Sequence, residues 1–417
     1  MKKLNLLKGD KIIWIIVLFL SMISVVAVFS SSTILANRKG VDYSKVNLFI
    51  EQLRSVGTGF IALLFCYFLS IKFYRNISFI YFGLTTILLL IVIVQTIAGV
   101  GGVNSANRGL VIPGTSKTIQ VFEFAKVGLI MYLARALEIW EGRINTFKDY
   151  CIKLMLPVAV TCLLIIPNSF SSALLFGFIS LLIMLFMRVR LRYLLLTIAI
   201  AAGFAIAGFG IYSLNPEKMS NVSLFNRFGT VMARIDRWKS DNSIETEKTL
   251  SAKDVDELRQ TSNAEVAVSQ GGLIGKGPGK STERFSLSLA FSDFIFAFIV
   301  EEYGLFGGVF VILLYIVLLF RCVVIAMRCN TPFSSTMVLG LAFLIGTQAF
   351  LHIYVNLGIL PVTGHTLPLI SHGGTAYVVL SGAFGIILSI SKQLDKNDEK
   401  EREQHNAIIE EDNNYEK

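Results

Sequence analysis

Charged residues are scarce in this chain of 417 residues, where Asp, Glu, Lys and Arg together make up only 16%. A soluble globular domain contains about 25%. Hydrophobic residues reach 54%, and the mean hydropathy is +0.65. Apolar runs recur along most of the chain, each close to the roughly 20 residues that an α-helix needs to cross a bilayer. The scarcity of charge therefore excludes a soluble domain and predicts a polytopic membrane protein.

Cysteine and histidine are also rare, with five and four residues respectively. No CxxC pair and no Cys/His cluster occurs in the sequence, so neither a disulfide framework nor a zinc site is predicted. The net charge of +9 does not come from a basic domain, because the Lys and Arg residues stand between apolar runs. This arrangement is typical of membrane topology signals, and we do not expect a nucleic-acid partner.

The apolar pattern predicts an all-α fold with about ten transmembrane helices. The spans are expected at 12–34, 48–70, 77–98, 119–137, 152–167, 171–187, 192–213, 291–320, 334–357 and 373–391. The first run is longer than the apolar core of a signal peptide and is interpreted as an uncleaved span. The span at 291–320 is unusually long and is expected to be tilted or broken near Gly304.

Lys and Arg in the short loops predict the orientation, because positively charged loops remain on the cytoplasmic side. Fifteen of them fall in one set of loops: Lys2, Lys3, Lys8, Lys11, Lys72, Arg75, Arg135, Arg143, Lys148, Lys153, Arg188, Arg190, Arg192, Arg321 and Arg328. The opposite loops hold five: Arg38, Lys39, Lys45, Arg108 and Lys117. The first set is therefore predicted to be cytoplasmic, together with both termini.

This orientation divides the chain into five segments. They are a cytoplasmic N-terminus at 1–11, seven helices at 12–213, a large extracytoplasmic loop at 214–290, three helices with an irregular segment (358–375) at 291–391, and a cytoplasmic tail at 392–417. A loop as long as the large one is typically functional. The tail mixes Lys, Asp, Glu and Asn and is expected to be disordered.

A glycine-rich stretch in the large loop, Gly271–Ser281, superficially resembles a phosphate-binding P-loop. A P-loop has four residues between its first glycine and the Gly-Lys-Ser sequence. Here Ile274 occupies a required position and no predicted strand precedes the stretch. Two interpretations remain, a flexible turn and a backbone-lined site close to a substrate.

Asp293 stands where a long polar stretch ends and a long apolar run begins. An ionisable group at the mouth of a membrane span is costly unless it has a task or a partner. Taken alone, Asp293 also fits an exposed first-turn residue that stabilises a helix N-terminus. Glu301 and Glu302 follow two turns later, and either line the same face or anchor the helix.

Glu123 and Lys126 are three residues apart at the edge of the fourth predicted span. A helix places them on adjacent rows, so they form either a structural ion pair or part of the polar wall of an internal cavity. Glu51 and Arg54 repeat the same spacing near the start of the second span, with the same two alternatives.

The stretch Gly358–Thr375 contains two prolines and four glycines, which interrupt a helix, yet it remains apolar. Irregular backbone at membrane depth is tolerated only against protein or a water-filled cavity. Its polar side chains are candidates for hydrogen bonds to a ligand: His365, Ser371, His372 and Thr375. The alternative is a purely structural re-entrant turn.

Two of these segments resemble signatures of the SEDS family (shape, elongation, division and sporulation). Ser292–Ala297, followed by Glu301–Gly304, resembles the catalytic segment of the family. Leu360–Thr375 resembles its second signature, with LP-x-TG and LPLIS-x-GG elements, and Gln348 lies thirteen residues before Pro361, as in the family. The resemblance covers nearly the whole chain. The residues of the second signature are closer to those of the division branch of the family than to those of the elongation branch.

The resemblance implies a peptidoglycan glycosyltransferase of the bacterial cytoplasmic (inner) membrane. Such an enzyme polymerises lipid II, an undecaprenyl-diphosphate-linked disaccharide pentapeptide, with inversion at the anomeric carbon. It implies Asp293 as the catalytic residue. Expected substrate contacts are Arg108, Glu123, Lys126, Arg234, Gln348, Thr363, His365, Ser371 and His372. Expected supporting residues are Glu301, Glu302, Pro361, Gly364, Pro368, Gly373 and Gly374.

The expected partners are a class B penicillin-binding protein and other division proteins. No cofactor is predicted with certainty, and a divalent cation, Mg²⁺ or Mn²⁺, is an open alternative. A lipid II flippase and a non-catalytic division scaffold remain alternative functions. The sequence departs from common family residues at four positions: Val121, Ser169, Thr363 and His372. The contacts that these positions make with the cavity are left open.

Overall fold

A computed structural model describes residues 8–31, 45–98, 109–111, 118–144, 146–214, 252–283 and 292–415. A helix lies at each of the ten predicted spans. Seven helices of the described residues are long and apolar enough to cross a membrane. The all-α polytopic class is thus confirmed, while the exact number of spans stays a prediction.

The helices and strands are as follows. They are α1 (Lys11–Ser31), α2 (Lys45–Phe68), α3 (Ile71–Ile97), β1 (Leu110–Val111), β2 (Thr118–Ile119), α4 (Val121–Ile139), α5 (Phe147–Tyr150), a π-helix (Cys151–Met155), α6 (Leu156–Ile165), α7 (Phe170–Phe186), α8 (Leu191–Leu214), α9 (Ala252–Gly271), α10 (Ile295–Met327), α11 (Pro332–Asn356) and α12 (Gly374–Tyr415).

Local sequence sets several of the helix starts. Hydroxyl side chains at N-cap positions accept hydrogen bonds from backbone N–H groups that the first helical turn leaves unsatisfied. Ser70 does so for α3 and Thr331 for α11, where Pro332 follows at the first helical position. Proline is compatible with that position because its missing N–H has no helical partner there.

Helix α11 is the centre of the bundle and packs against α4, α7, α10 and α12, while α2 packs along α12. The N-terminal ends of α4, α10 and α12 and the C-terminal end of α11 meet at one end of the bundle, which we call the site end. The opposite end, where α1 begins and α10 ends, is called the far end. Asp293 and the irregular segment between α11 and α12 lie at the site end.

A hairpin and a helix lie outside the ten predicted spans. The strands β1 and β2 form a short antiparallel hairpin in which Leu110 pairs with Ile119. Helix α9 lies in the large loop and packs on the start of α10, where Ala264 and Ala267 are buried with Phe294. Its sequence is polar and offers little apolar periodicity, so pattern analysis gives only a weak signal for it.

Helix α10 is broken at Gly304, as the sequence predicts: this residue has φ 71° and ψ −171°. The break removes helical partners from nearby backbone groups, which must be satisfied elsewhere in the membrane. Residues Gly271–Glu283, here called the glycine loop, supply the missing hydrogen-bond partners. Its backbone contacts at the break are Lys276 N to Glu301 O (3.0 Å), Gly277 N to Glu302 O (2.9 Å) and Leu305 N to Gly272 O (2.9 Å).

At the far end, α12 continues to Tyr415, where the sequence predicts a disordered tail after residue 391. Polar contacts hold the first part of this extension. Gly9 N donates to the Asp395 carboxylate at 3.1 Å, Asp10 N donates to Ser391 Oγ at 3.0 Å, and Arg328 pairs with Asp398 at 2.6 Å. The helix therefore extends because the N-terminus and the end of α10 supply partners that composition alone does not reveal.

Candidate active site

Asp293 lies immediately before α10, whose N-cap residue is Phe294. Its side chain is half-buried. Two side chains from elsewhere in the chain contact the backbone at this point. Asn356 Nδ2 donates to Asp293 O at 3.0 Å, and Ser371 Oγ donates to Ser292 O at 2.8 Å. The backbone that carries the predicted catalytic residue is thus fixed to the end of α11 and to the irregular segment.

A polar chain crosses from α4 to the irregular segment at the same end of the bundle. Lys126 Nζ pairs with Glu123 Oε1 at 2.6 Å and contacts Gln348 Oε1 at 3.4 Å, and Gln348 Nε2 donates to Thr366 O at 3.3 Å. Glu123 and Lys126 are 8% and 3% exposed. Three predicted substrate contacts are therefore assembled into one buried network that includes an ion pair.

The irregular segment is held by hydrogen bonds within it and by bonds to α10 and its start. Ser371 Oγ accepts from Leu367 N at 2.8 Å while donating to Ser292 O, and Tyr315 donates from its hydroxyl to Pro368 O at 2.5 Å. Gly364 has φ 65°, a left-handed conformation that favours glycine. The Ser371 hydroxyl therefore holds this segment against the backbone at Ser292, and its contact with substrate stays a prediction.

Two histidines of the irregular segment have different environments. His365 is buried, and its carbonyl is 2.8 Å from the Nδ1 atom of His352. His372 is partly exposed, with Nδ1 2.7 Å from Gln52 Oε1 and Nε2 3.9 Å from a carboxylate oxygen of Glu51. Burial lowers the pKa of His372, and the Glu51 carboxylate opposes that shift. Burial thus favours the neutral form of the His372 imidazole.

Glu301 and Glu302 bind the glycine loop, a role that the sequence did not suggest for this pair. The Glu301 carboxylate accepts from Lys276 Nζ at 2.7 Å, from Thr282 N at 2.8 Å and from the Ser281 hydroxyl. Glu302 Oε1 accepts from Gly279 N at 2.8 Å, and also from Ser30 of α1 at 2.6 Å. The glycine loop is therefore a docked structural element rather than a flexible turn.

The positions that depart from common family residues have clear local roles. Val121 is buried at the first residue of α4. Ser169 caps α7 by accepting from Ser172 N at 3.3 Å, and the preceding Asn168 accepts from Thr96 Oγ1 at 3.0 Å. These side chains supply helix capping and interhelical contact at the site end without an acidic group.

Other predicted residues are placed as follows. Pro361 and Thr363 are partly exposed, Pro368 is buried, Gly373 is partly exposed just before α12, and Gly374 opens that helix. Arg108 and Arg234 lie outside the described residues.

Across the part of the chain that the structure describes, no group of three or more His, Cys, Asp and Glu could hold a metal ion. We therefore derive no chemical step through a metal.

Asn356 is the residue of this site that sequence reasoning missed. It is fully buried at the last position of α11. A polar amide at the end of an apolar span, just before a helix-breaking segment, is the signal that was available. The sequence does not reveal that Asn356 contacts Asp293, because the two residues are 63 positions apart along the chain.

Comparisons with known proteins agree with this architecture. Residues 10–396 match the FtsW/RodA/SpoVE family, described as cell cycle protein. A probable peptidoglycan glycosyltransferase FtsW of Geobacter metallireducens is 28% identical over 94% of this chain and 98% of its own length. Stage V sporulation protein E of Bacillus subtilis is 29% identical over 92% of this chain and 97% of its own.

Solved structures give the same fold. The crystal structure of the rod shape determining protein RodA of Thermus thermophilus has a TM-score of 0.62 and 22% identity, covering 93% of this chain and 98% of that one. A chain from a peptidoglycan synthase complex, studied for the coordination of polymerization and crosslinking, has a TM-score of 0.66 and 21% identity, covering 93% and 98%. The family match, supported by the fold, means that this chain belongs to the FtsW/RodA/SpoVE family, the SEDS proteins that its two signatures resemble.

Proposed function

We propose that this protein is a peptidoglycan glycosyltransferase that polymerises lipid II into glycan strands during cell division. The names of the FtsW relatives and the family match support the activity. The site end faces the outside of the inner membrane, and both termini are cytoplasmic, in accordance with the distribution of Lys and Arg. The lipid tail of the substrate stays in the bilayer while its sugars reach the site end.

The observation that carries the proposal is the placement of Asp293. It stands at the membrane mouth of α10, half-buried, and its backbone is held by Asn356 and Ser371. A carboxylate that accepts a proton during reaction must be held in hydrogen-bonding reach of the attacking hydroxyl. A residue that only stabilised the helix N-terminus would not require two distant side chains to hold its backbone.

The reaction joins a sugar hydroxyl to an anomeric carbon. The 4-hydroxyl of the acceptor N-acetylglucosamine attacks C1 of the lipid-linked donor, the new C1–O bond forms, and the bond from C1 to the diphosphate oxygen breaks. Asp293 accepts the hydroxyl proton, and undecaprenyl diphosphate leaves with the bonding electron pair. Direct displacement inverts the configuration, from an α-linked donor to a β-linked polymer.

The leaving diphosphate requires positive charge or N–H donors. Of the three predicted cations, Lys126 is buried, and its charge is already compensated by Glu123 at 2.6 Å. We therefore assign to Lys126 and Gln348 the task of shaping a polar wall, and leave the diphosphate to Arg108 and Arg234. A divalent cation carried by the diphosphate itself remains a prediction.

The partner that we propose is a class B penicillin-binding protein, which crosslinks the strands that this enzyme produces. The similarity in fold to a chain of a peptidoglycan synthase complex supports an assembly of this kind. Contact through the large loop is expected, because that loop contains α9, which packs directly on the start of α10.

A lipid II flippase is the principal alternative. Transporters place substrate and coupling ions near the bilayer midplane. Glu123 and Lys126 lie in the first turns of α4, about 3 Å and about 7.5 Å from its first residue at 1.5 Å per residue. The ion pair is thus close to the same end of the bundle as Asp293, which favours chemistry at the membrane surface over transport.

The test is polymerisation of lipid II by the purified complex with its penicillin-binding protein, with the transpeptidase blocked. Asp293→Ala and the isosteric Asp293→Asn are expected to reduce kcat by about 10² to 10⁴. Asp149→Asn, which removes a partly exposed carboxylate at the far end, is the matched control and retains activity.

Each outcome discriminates between the functions. Equal polymerisation by the wild type and both Asp293 variants would refute the role of Asp293 as base. Lipid II movement across vesicles without polymer would support the flippase. Neither polymer nor movement in the complete complex would support the scaffold.

A further inference from the structure

We infer that Asn356 is a positioning residue for Asp293, acting with Ser371 to fix the direction in which the Asp293 side chain leaves the backbone. The inference rests on the proposed function, since it assigns Asn356 a part in the same reaction. Asn356 is not expected to touch substrate, because it is fully buried at the end of α11.

The carboxamide of Asn356 makes hydrogen bonds in two directions. Its Nδ2 group donates to Asp293 O at 3.0 Å and to His352 O at 2.8 Å, and its Oδ1 atom accepts from Ala297 N at 3.0 Å. The two carbonyls can only accept and the N–H can only donate. The orientation of the amide group is therefore determined by its partners.

Few side chains of the same size can donate to both carbonyls and also accept from the Ala297 N–H group. A carboxylate in place of the amide offers acceptors alone, so it would retain the bond from Ala297 N and lose the donor to Asp293 O. Leucine offers neither. The bond to Ala297 satisfies an N–H group in the first turn of α10, which is ordinary helix capping. The bond to Asp293 O has no capping function, because that carbonyl precedes the helix.

Ser371 supplies the second contact, from its hydroxyl to Ser292 O at 2.8 Å. The Cα atom of Asp293 lies between two planar peptide units, one carrying the Ser292 carbonyl and the other carrying its own. Since peptide planarity leaves only φ and ψ free at each residue, fixing the direction of both carbonyls fixes both angles at Asp293. The direction of its Cα–Cβ bond follows, and with it the region that the carboxylate can reach.

Two variants separate positioning from general stability. Asn356→Asp retains the acceptor for α10 but removes the donor to Asp293 O and to His352 O. Ser371→Ala removes the contact to Ser292 O and the acceptor for Leu367 N. The matched control is Ser389→Ala, because Ser389 is also a buried hydroxyl that donates to a distant backbone carbonyl, Leu69 O in the turn after α2, at 2.7 Å. That contact lies at the far end of the bundle.

The measurement is kcat and KM for lipid II in the complex with the penicillin-binding protein, together with the thermal unfolding midpoint of each variant. We expect kcat to fall by about 10- to 100-fold in Asn356→Asp and in Ser371→Ala, the size of effect that small misplacements of catalytic groups produce. KM is expected to stay at the wild-type value. The double variant should lose less than the product of the single effects, because both contacts act on one residue.

The results that overturn the inference are distinct from those that overturn the function. Full kcat in both variants, with Asp293→Ala inactive, refutes the inference alone. A fall in kcat that parallels a fall in the unfolding midpoint and is matched by Ser389→Ala indicates a merely structural role and also refutes it. An inactive wild-type complex refutes the proposed function and the inference with it. If Asn356→Asp does not fold, Ser371→Ala decides.

Discussion

At the scale of single residues, the buried pair of Glu123 and Lys126 is the feature of the site end whose burial costs the most free energy. Both side chains lie inside the bundle, and the second carboxylate oxygen of Glu123 has no hydrogen-bond partner among the described residues. Removing one member of a buried pair leaves an uncompensated charge and costs about 3 to 5 kcal/mol, whereas replacing both is often neutral. Replacing both residues together therefore separates a role in activity from a role in stability better than replacing either one alone.

Lys126→Met alone is expected to lower the free energy of unfolding by about 3 to 5 kcal/mol, because Glu123 is left charged and buried. The double variant Glu123→Gln with Lys126→Met should regain most of this loss while remaining defective in polymerisation. Thermal unfolding in detergent and the lipid II assay measure the two properties separately. A double variant that regains full activity would show that the pair serves stability alone.

The sequence predicts this pair because its members are three residues apart on one helix. It also selects Gln348 and Ser371 through the family signatures, but it does not reveal that Ser371 donates to Ser292 O. Local spacing carries no information on contacts between distant segments. That is why Asn356, whose partner lies on another element, was not predicted.

At the scale of elements, α10 and the glycine loop form one structure. Gly304 has a combination of φ and ψ that is essentially restricted to glycine, and a Cβ atom there would overlap the Leu273 carbonyl. The break near Gly304 was predicted from the unusual length of the span. The docking of the glycine loop was not, because the groups that it satisfies exist only once the helix is broken.

Gly304→Ala is expected to destabilise the protein by about 1 to 3 kcal/mol through backbone strain alone, and further through the overlap with the loop. Gly83→Ala is the control, since a Cβ on that helical glycine would meet nothing within 4 Å and alanine is the better helix former. Thermal unfolding of both variants is the measurement. Equal midpoints for the two would contradict the role assigned to Gly304.

At the scale of the whole molecule, the segment just before α1 is joined to α10 and α12 at the far end of the bundle. Asp10 accepts from Ile12 N at 2.9 Å with one carboxylate oxygen and pairs with Arg321 through the other. The same residue thereby caps α1 and ties it to α10. The predicted number of apolar spans gives the overall architecture, but it does not reveal this closure, which depends on isolated polar residues outside the apolar runs.

Asp10→Ala should lower stability more than Asp10→Asn, because the amide retains a cap acceptor while losing the ion pair. Loss of an N-cap side chain costs about 0.5 to 2 kcal/mol. Thermal unfolding ranks the variants, and activity per folded complex is expected to be unchanged, since the contact is at the end opposite Asp293. A loss of activity without loss of stability would instead indicate communication between the two ends.

The glycine loop also determines where the chain tolerates added sequence. Tags and fluorescent domains are usually inserted into polar, glycine-rich connections, and Gly271–Glu283 fits that description in the printed sequence. Tolerance depends, however, on the burial and hydrogen bonding of the interrupted backbone. Here that backbone satisfies the carbonyls of Glu301 and Glu302 inside the bundle. An insertion in this loop is therefore equivalent to an insertion in the middle of a membrane helix.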